Sequence, residues 1–265
     1  MFFSLSSLLL ALVIVGILFA AVALGLLAGR ALRQHAETLR EPFGVVQAAL
    51  LTLVGLLLAF TLAMAVTRYE ARRAAVVDDS NAIGTAYLRA QTLQEPMRSA
   101  SLRLYPEYAD ASIALSETVP GSGDAKRAIA RESEIQRRLW GLAGESLAAR
   151  PTDSAPRLYV ESLNAMIDMQ TTRVAALNNR VPTAISLVVV LGAAVALGLM
   201  ALYLAMFSRG VVTVLLAATL LSLLIYVTFD LDRPHRGFIT VPDAPLVAVR
   251  AGMELPPAAG PPPGG

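Results

Sequence analysis

Four stretches without a single Asp, Glu, Lys or Arg constrain this chain more than any other feature. They cover residues 1–29, 42–67, 181–208 and 210–229, and run 29, 26, 28 and 20 residues. A helix needs about 20 apolar residues to cross the ~30 Å hydrocarbon layer of a bilayer. Inside lipid each backbone N–H must find its acceptor within the segment, which leaves the helix as the form these stretches can take. The expected fold is an all-α membrane protein: four transmembrane helices, with a helical bundle inserted between spans two and three. The first stretch has no basic residues before it and exceeds the about 7 to 15 residues of a signal-peptide core, so it reads as a retained anchor.

The apolar content, 55% of the chain, sits in these four stretches, while the insert is ordinary polar protein with 15 basic and 14 acidic residues over positions 67–182. A formal net charge of +2 argues against nucleic acid as a partner, since that needs a strongly basic face. With no Cys and two His in different juxtamembrane segments, His35 and His235, neither a thiolate nor a histidine metal cluster is expected. No cofactor is expected. No Gly-rich phosphate loop and no nucleophile pattern near either His appears, so an enzyme is not expected.

The chain divides into a first transmembrane hairpin (1–66), a polar helical bundle on stalks that continue spans two and three (67–182), a second transmembrane hairpin (183–232) and a tail (233–265) whose Pro/Gly-rich end is too poor in apolar residues to order itself. No Gly or Pro separates Val66 from Ala82, so the second span is expected to run on as one rod. Pro96 suits a first helical turn, Pro106 a kink, and Asp124 is the expected cap of the next helix. Ile135, Leu139 and Leu142 form one apolar face. Leu163, Met166, Gln170, Val174 and Leu177 form another, at the 3–4 spacing of a helix stripe.

Three sets of side chains are candidates for function. Asp78, Asn81 and Thr85 share one helix face, as do Asn164, Asp168 and Thr172. If the stalks pack side by side, the two sets make a polar seam: a weak cation site or vestibule, a hydrogen-bond network fixing stalk register, or simply solvated faces. Arg68, Arg72, Arg180, Arg233 and Arg236 project from span ends and form a candidate anion-attracting mouth, where snorkelling to headgroups is the plainer role. Asp230 and Asp232 are placed to pair with Arg68 or Arg180 there. Within the spans, polar atoms come from Thr, Ser, Gln and Tyr alone. The absence of an intramembrane carboxylate or Lys to relay protons argues against a proton-coupled transporter or pump and leaves passive conduction, or none. On the second span Leu57, Phe60 and Met64 share a face and form a candidate pore constriction. Small residues four apart, Ala21, Gly25 and Gly29 and then Ala194 and Gly198, let helix backbones approach closely, with packing inside one chain the expected use.

Sidedness is read from the first helix, which is followed by Arg30, Arg33 and Arg40. The positive-inside rule puts that short connection in the cytoplasm, and the insert and both termini outside. The raw count of Arg on the insert side, including Arg68, Arg72, Arg73, Arg173, Arg180, Arg233 and Arg236, points the other way.

Three segments, VTRYEARRAAVVDDSNAIGTAYLRA from Val66, LNAMIDMQTTRVAALNNRVP from Leu163 and DLDRPHRGF from Asp230, resemble the bacterial membrane family of bestrophin-like domain proteins, in the right order and over nearly the whole chain. The matching positions include Asn81, Gly84, Thr85, Asp168, Arg173, Asn179, Arg180, Asp232, Arg233 and Arg236. Pro106 and Gln170 depart from the family pattern. The resemblance implies four spans with a helical insert after the second, residence in the bacterial cytoplasmic (inner) membrane, and kinship with bestrophins, which are oligomeric anion channels with apolar and aromatic rings at the pore neck and a cytoplasmic helical domain. The reading that follows is an oligomeric passive ion channel, anion-favouring, with the lipid bilayer, copies of itself and inorganic anions as partners. The rival reading is a non-conducting membrane-anchored sensor or scaffold whose helical insert binds a partner.

Overall fold

The computed structural model describes residues 7–207, 210–233 and 237–259, and leaves the side chains of residues 35–43 undescribed. The helices are α1 (Ser7–Ala31), α2 (Ala36–Ala90), α3 (Met97–Glu117), α4 (Gly123–Ala149), α5 (Ser154–Asn178), α6 (Thr183–Met206), α7 (Val211–Leu231) and α8 (Ala244–Gly252), with a short 3-10 turn over Arg33–His35. No strand occurs among the described residues. Four helical stretches are long and apolar enough to cross a membrane. The chain separates into two compact units, one from residues 1–69 and 180–240, the other from 70–179 and 241–265. Helix α2 is continuous and supplies residues to both.

In the membrane unit, α1 buries Leu10, Ile14, Leu18, Val22, Gly25 and Gly29, a row spaced by one helical turn. They meet Val189, Val190, Ala193, Ala196, Leu197 and Ala201 of α6 and Val214, Ala218 and Ile225 of α7 in one apolar core. The other faces are equally apolar and lie open, with Leu8, Leu24, Val212 and Leu216 among the most exposed side chains. Helices apolar all round have a lipid, not water, as their second solvent. The small residues do pack within the chain: a Cβ on Gly25 would fall 2.1 Å from the Gly198 carbonyl oxygen, and one on Gly29 2.3 Å from that of Leu202. Backbone contact of this kind is how helices associate where no hydrophobic drive separates them from lipid. Gly210, with φ +84°, begins α7 in the left-handed region that favours glycine. Ser208 and Arg209 of the expected turn lie outside the described residues.

In the polar unit, the last part of α2 with α3, α4 and α5 surrounds Ile83, Leu104, Tyr105, Tyr108, Ile135, Leu139, Tyr159, Leu163 and Met166, all buried. α2 ends at Ala90, and Pro96, expected in a first helical turn, stands one position earlier as the N-cap of α3. Pro106 lies inside α3. The cap of α4 is Ser122 and not Asp124: its backbone is extended and its Oγ accepts from the Ala125 N–H at 3.1 Å. Asp124 falls in the first turn and pairs with Arg127. α5 and α6 are separate helices with residues 179–182 between them, because Pro182 offers no N–H and biases the residue before it away from the helical region. The segment from Val241 belongs to this unit. Leu246 is buried, Arg250 pairs with Asp110 at 2.7 Å, and the Ala259 N–H donates to Gln91 Oε1 at 2.9 Å. Residues 260–265 of the Pro/Gly-rich end lie outside the described residues.

Candidate functional site

The conspicuous polar centre lies inside the polar unit. Asp79 of α2, Arg173 of α5 and Glu132 of α4 are each 1% exposed or less. The periodicity that builds the core puts them there. Asp79 continues the row Ala75, Ile83, Ala86 and Ala90. Glu132 stands one turn before Ile135 and Gln136. Arg173 follows Met166 and Gln170 and precedes Leu177. Burial of charge in a low-dielectric bundle requires a partner, and Arg173 has one: its Nη1 donates to Asp79 Oδ2 at 2.9 Å and to Ser112 Oγ, while Nη2 donates to the Ser112 carbonyl oxygen at 2.8 Å and to Ser116 Oγ. The Ser112 hydroxyl also donates to Asp79 Oδ2 at 3.3 Å. Glu132 Oε2 accepts from Gln170 Nε2 at 2.9 Å, the Ser112 hydroxyl stands near enough to favour its ionised form, and its Oε1 is buried without a partner among the described residues. Beside it Gln136 Nε2 donates to the Tyr108 hydroxyl at 2.9 Å, and further along the core the Tyr105 and Tyr159 hydroxyls meet at 3.3 Å.

Burial raises the Glu132 carboxyl to about 7, against the Gln170 hydrogen bond and Arg173. Burial also raises Asp79, opposed by the Arg173 guanidinium and the Ser112 hydroxyl. The Tyr105 and Tyr108 hydroxyls are pushed well up by burial, so both are neutral.

This centre was not among the expected site residues, although it lies beside them. The expected seam residues Asp78, Asn81, Thr85, Asn164, Asp168 and Thr172 are all exposed. In the sequence Asp78-Asp79 the two carboxylates point about 100° apart on the helix, and it is the second that shares a face with the apolar residues. The signal that finds it is the apolar row itself, read at 3–4 spacing; on α5 the same spacing after Gln170 admits both Val174 and Arg173, and the structure buries Arg173.

The expected mouth residues divide. Arg72 is buried, with Nε donating to the Ala176 carbonyl oxygen at 3.3 Å and Nη2 to that of Asn179 at 2.7 Å. It caps the C-terminus of α5, where orphan carbonyls and the helix dipole favour a cation, and so it does not present its charge to a mouth. Arg33 does the same for α6, with Nε donating to the Ala205 carbonyl oxygen at 3.3 Å. Arg68 is half-buried, with Nη1 enclosed and unbonded among the described residues. Arg180 is half-buried and Arg233 buried, both partnered. Arg236 lies outside the described residues, as do His235 and the side chain of His35.

The two aspartates of DLDRPHRGF hold backbone N–H groups, and Asp230 also a tyrosine hydroxyl. Asp232 Oδ2 accepts from the Val181 N–H at 2.9 Å, Asp230 Oδ2 from the Ile239 N–H at 2.9 Å, and Asp230 Oδ1 from the Tyr226 hydroxyl at 3.3 Å. A Cβ on Gly237 would fall 2.7 Å from the Asp230 carboxylate, which accounts for glycine at that step.

On α2, Phe60 is 62% exposed, while Leu57 and Met64 are half-buried and Leu57 packs against the unit's own core. The most outward apolar row on that part of the helix is Leu53, Leu56 and Phe60. No three His, Asp or Glu side chains converge on a metal-sized site among the described residues.

The Bestrophin-like domain matches residues 10–246. No curated protein sequence matches the chain. Among solved structures, the chain is similar to the bacterial bestrophin homologue of Klebsiella pneumoniae, with a TM-score of 0.63 at 15% identity over 91% of this chain and 96% of that one. Two point variants of that homologue give TM-scores of 0.67 at 15% identity and 0.68 at 14%, each over 91% of this chain and 97% of theirs. At this identity the likeness speaks to the fold.

Proposed function

The chain belongs to the Bestrophin-like domain family, and from that premise we propose that it is one subunit of an oligomeric, passive ion channel that favours anions. The observation that carries this reading is the uncovered face of α2. Leu53, Leu56 and Phe60 are each more than half exposed, and along the same helix Thr67, Glu70, Asp78, Asn81 and Thr85 are exposed as well. The buried sides of the four span helices are filled by one apolar core, so a path for ions needs several copies around an axis. With α2 turned to that axis, Phe60, flanked by Leu57 and Met64, forms an apolar constriction of the kind that gates by dewetting. The four uncharged stretches that cross the membrane carry no carboxylate or Lys, Asp230 falling just past the end of the last, which supports passive conduction over coupled transport. Arg68, half-buried at the end of the second span, supplies positive charge for the anion preference.

The test is chloride efflux from liposomes holding the purified protein, after its mass in detergent has been measured. A complex of several chains that releases chloride down its gradient, and faster with Phe60→Ala, is the expected result. A multi-chain complex without flux contradicts the channel reading and leaves the sensor reading in its place.

A further inference from the structure

At the polar centre the charges of Asp79, Arg173 and Glu132 do not balance, since the other buried cation of this unit, Arg72, is held on the carbonyls at the end of α5. Asp79 and Arg173 neutralise one another at 2.9 Å. Four of the five N–H groups of the guanidinium are committed, to Asp79, the Ser112 hydroxyl and carbonyl, and Ser116. Glu132, 0% exposed on the α4 side of the same bundle, is a second carboxylate with no cation of its own. The groups facing it are Asp79 from α2, Tyr108 and Ser112 from α3, Gln170 and Arg173 from α5, and Gln136 one turn along α4. Of these, one Gln170 N–H donates to it, and one of its oxygens has no partner among the described residues. An ionised carboxylate in this position would be a negative charge in an apolar bundle without a cation of its own and with fewer hydrogen bonds than it takes in water, a state far costlier than a neutral acid with the same contacts.

We propose that Glu132 is a reversible proton-binding site at the centre of the bundle, holding its proton on Oε1 while Oε2 accepts from Gln170. The group is raised to about 7 by its burial, so the exchange falls across neutrality. Loss of the proton creates the uncompensated charge, which must be met by water or a cation entering between α3, α4 and α5. The bundle is thereby a pH-sensitive element, tighter in acid and looser in base. This inference concerns the polar unit alone and does not depend on conduction.

Infrared spectroscopy of the full chain in detergent, titrated from pH 5 to pH 9, tests it. The wild type is expected to show the carbonyl-stretch band of a buried protonated carboxyl, lost with a midpoint near neutrality. Glu132→Gln, which keeps the shape of the side chain, removes that titrating band. In Gln170→Leu the ionised form loses the Gln170 donor, so the midpoint moves up by about one pH unit or more; this arm holds even if Glu132→Gln does not fold. A wild-type spectrum with no such band at pH 5, a band that survives unchanged in Glu132→Gln, or one abolished by Asp79→Asn and not by Glu132→Gln would each overturn the assignment.

Discussion

Arg173 shows what a single residue decides in this protein. It lies 1% exposed, joins α5 to Asp79 on α2 and to Ser112 and Ser116 on α3, and is the cation that makes a buried Asp79 tolerable. Removing one member of such a pair leaves an uncompensated buried charge, a loss of about 3–5 kcal/mol, whereas replacing both by apolar residues of similar size is close to neutral. Arg173→Met is therefore expected to lower the thermal midpoint of the detergent-solubilised protein sharply, and the double change Asp79→Leu with Arg173→Met to recover most of the loss. A single variant no less stable than wild type would show that the pair is not buried. Glu132 sets the pH dependence. Its carboxyl lies at about 7 in the folded chain against an ordinary 4.5, so between those values the folded state holds a proton that the unfolded state has released. Stability is then full below pH 4.5 and falls as pH rises toward 7, by about 3 kcal/mol in total. Thermal midpoints of wild type should decline over that window, and those of Glu132→Gln should not show this component.

At the scale of elements, the close contact of α1 with α6 rests on glycine. A side chain at Gly25 would meet the Gly198 carbonyl oxygen and Ala201 at once, while at Gly16 nothing lies within 4 Å. Gly25→Val is expected to cost about 1–3 kcal/mol through forced separation of the two helices, and Gly16→Val to stay within about 0.5 kcal/mol. Thermal midpoints, or the yield of folded protein after extraction, compare the two; equal effects would mean the contact is not needed. This spacing of small residues was legible in the sequence, because close approach of membrane helices leaves few alternatives to it. The span limits were equally legible, α6 starting at Thr183 and α7 ending at Leu231, since absence of charge is an unambiguous signal in lipid. Legibility failed where side chains compete for one backbone site. Ser122 outranks Asp124 as the cap of α4 because its extended backbone aims Oγ at the Ala125 N–H, a choice that composition does not contain. The role of Arg72 was hidden for a similar reason: a basic residue at a span end looks the same whether it meets headgroups, an anion, or the last carbonyls of a distant helix.

For the whole molecule, the sequence carries the family and the order of four spans with a helical bundle inserted after the second, but not the polar centre of that bundle. Two adjacent aspartates, Asp78 and Asp79, differ in face and not in chemistry, and the buried one is recognised by its register with Ala75, Ile83 and Ala86 rather than by its neighbours in the chain. At this scale we propose that α2 turns Phe60 toward an ion path shared by several copies. The chain has no Cys, so a single Phe60→Cys substitution supplies one thiol per subunit on an otherwise unreactive background. The decisive measurement is chloride flux through Phe60→Cys liposomes before and after a charged, membrane-impermeant thiol reagent. The reagent is expected to block flux in the variant and to leave wild type unaffected; a variant that conducts and stays unmodified, with its thiol reached by a lipid-soluble reagent only, would put Phe60 in the bilayer and off the ion path.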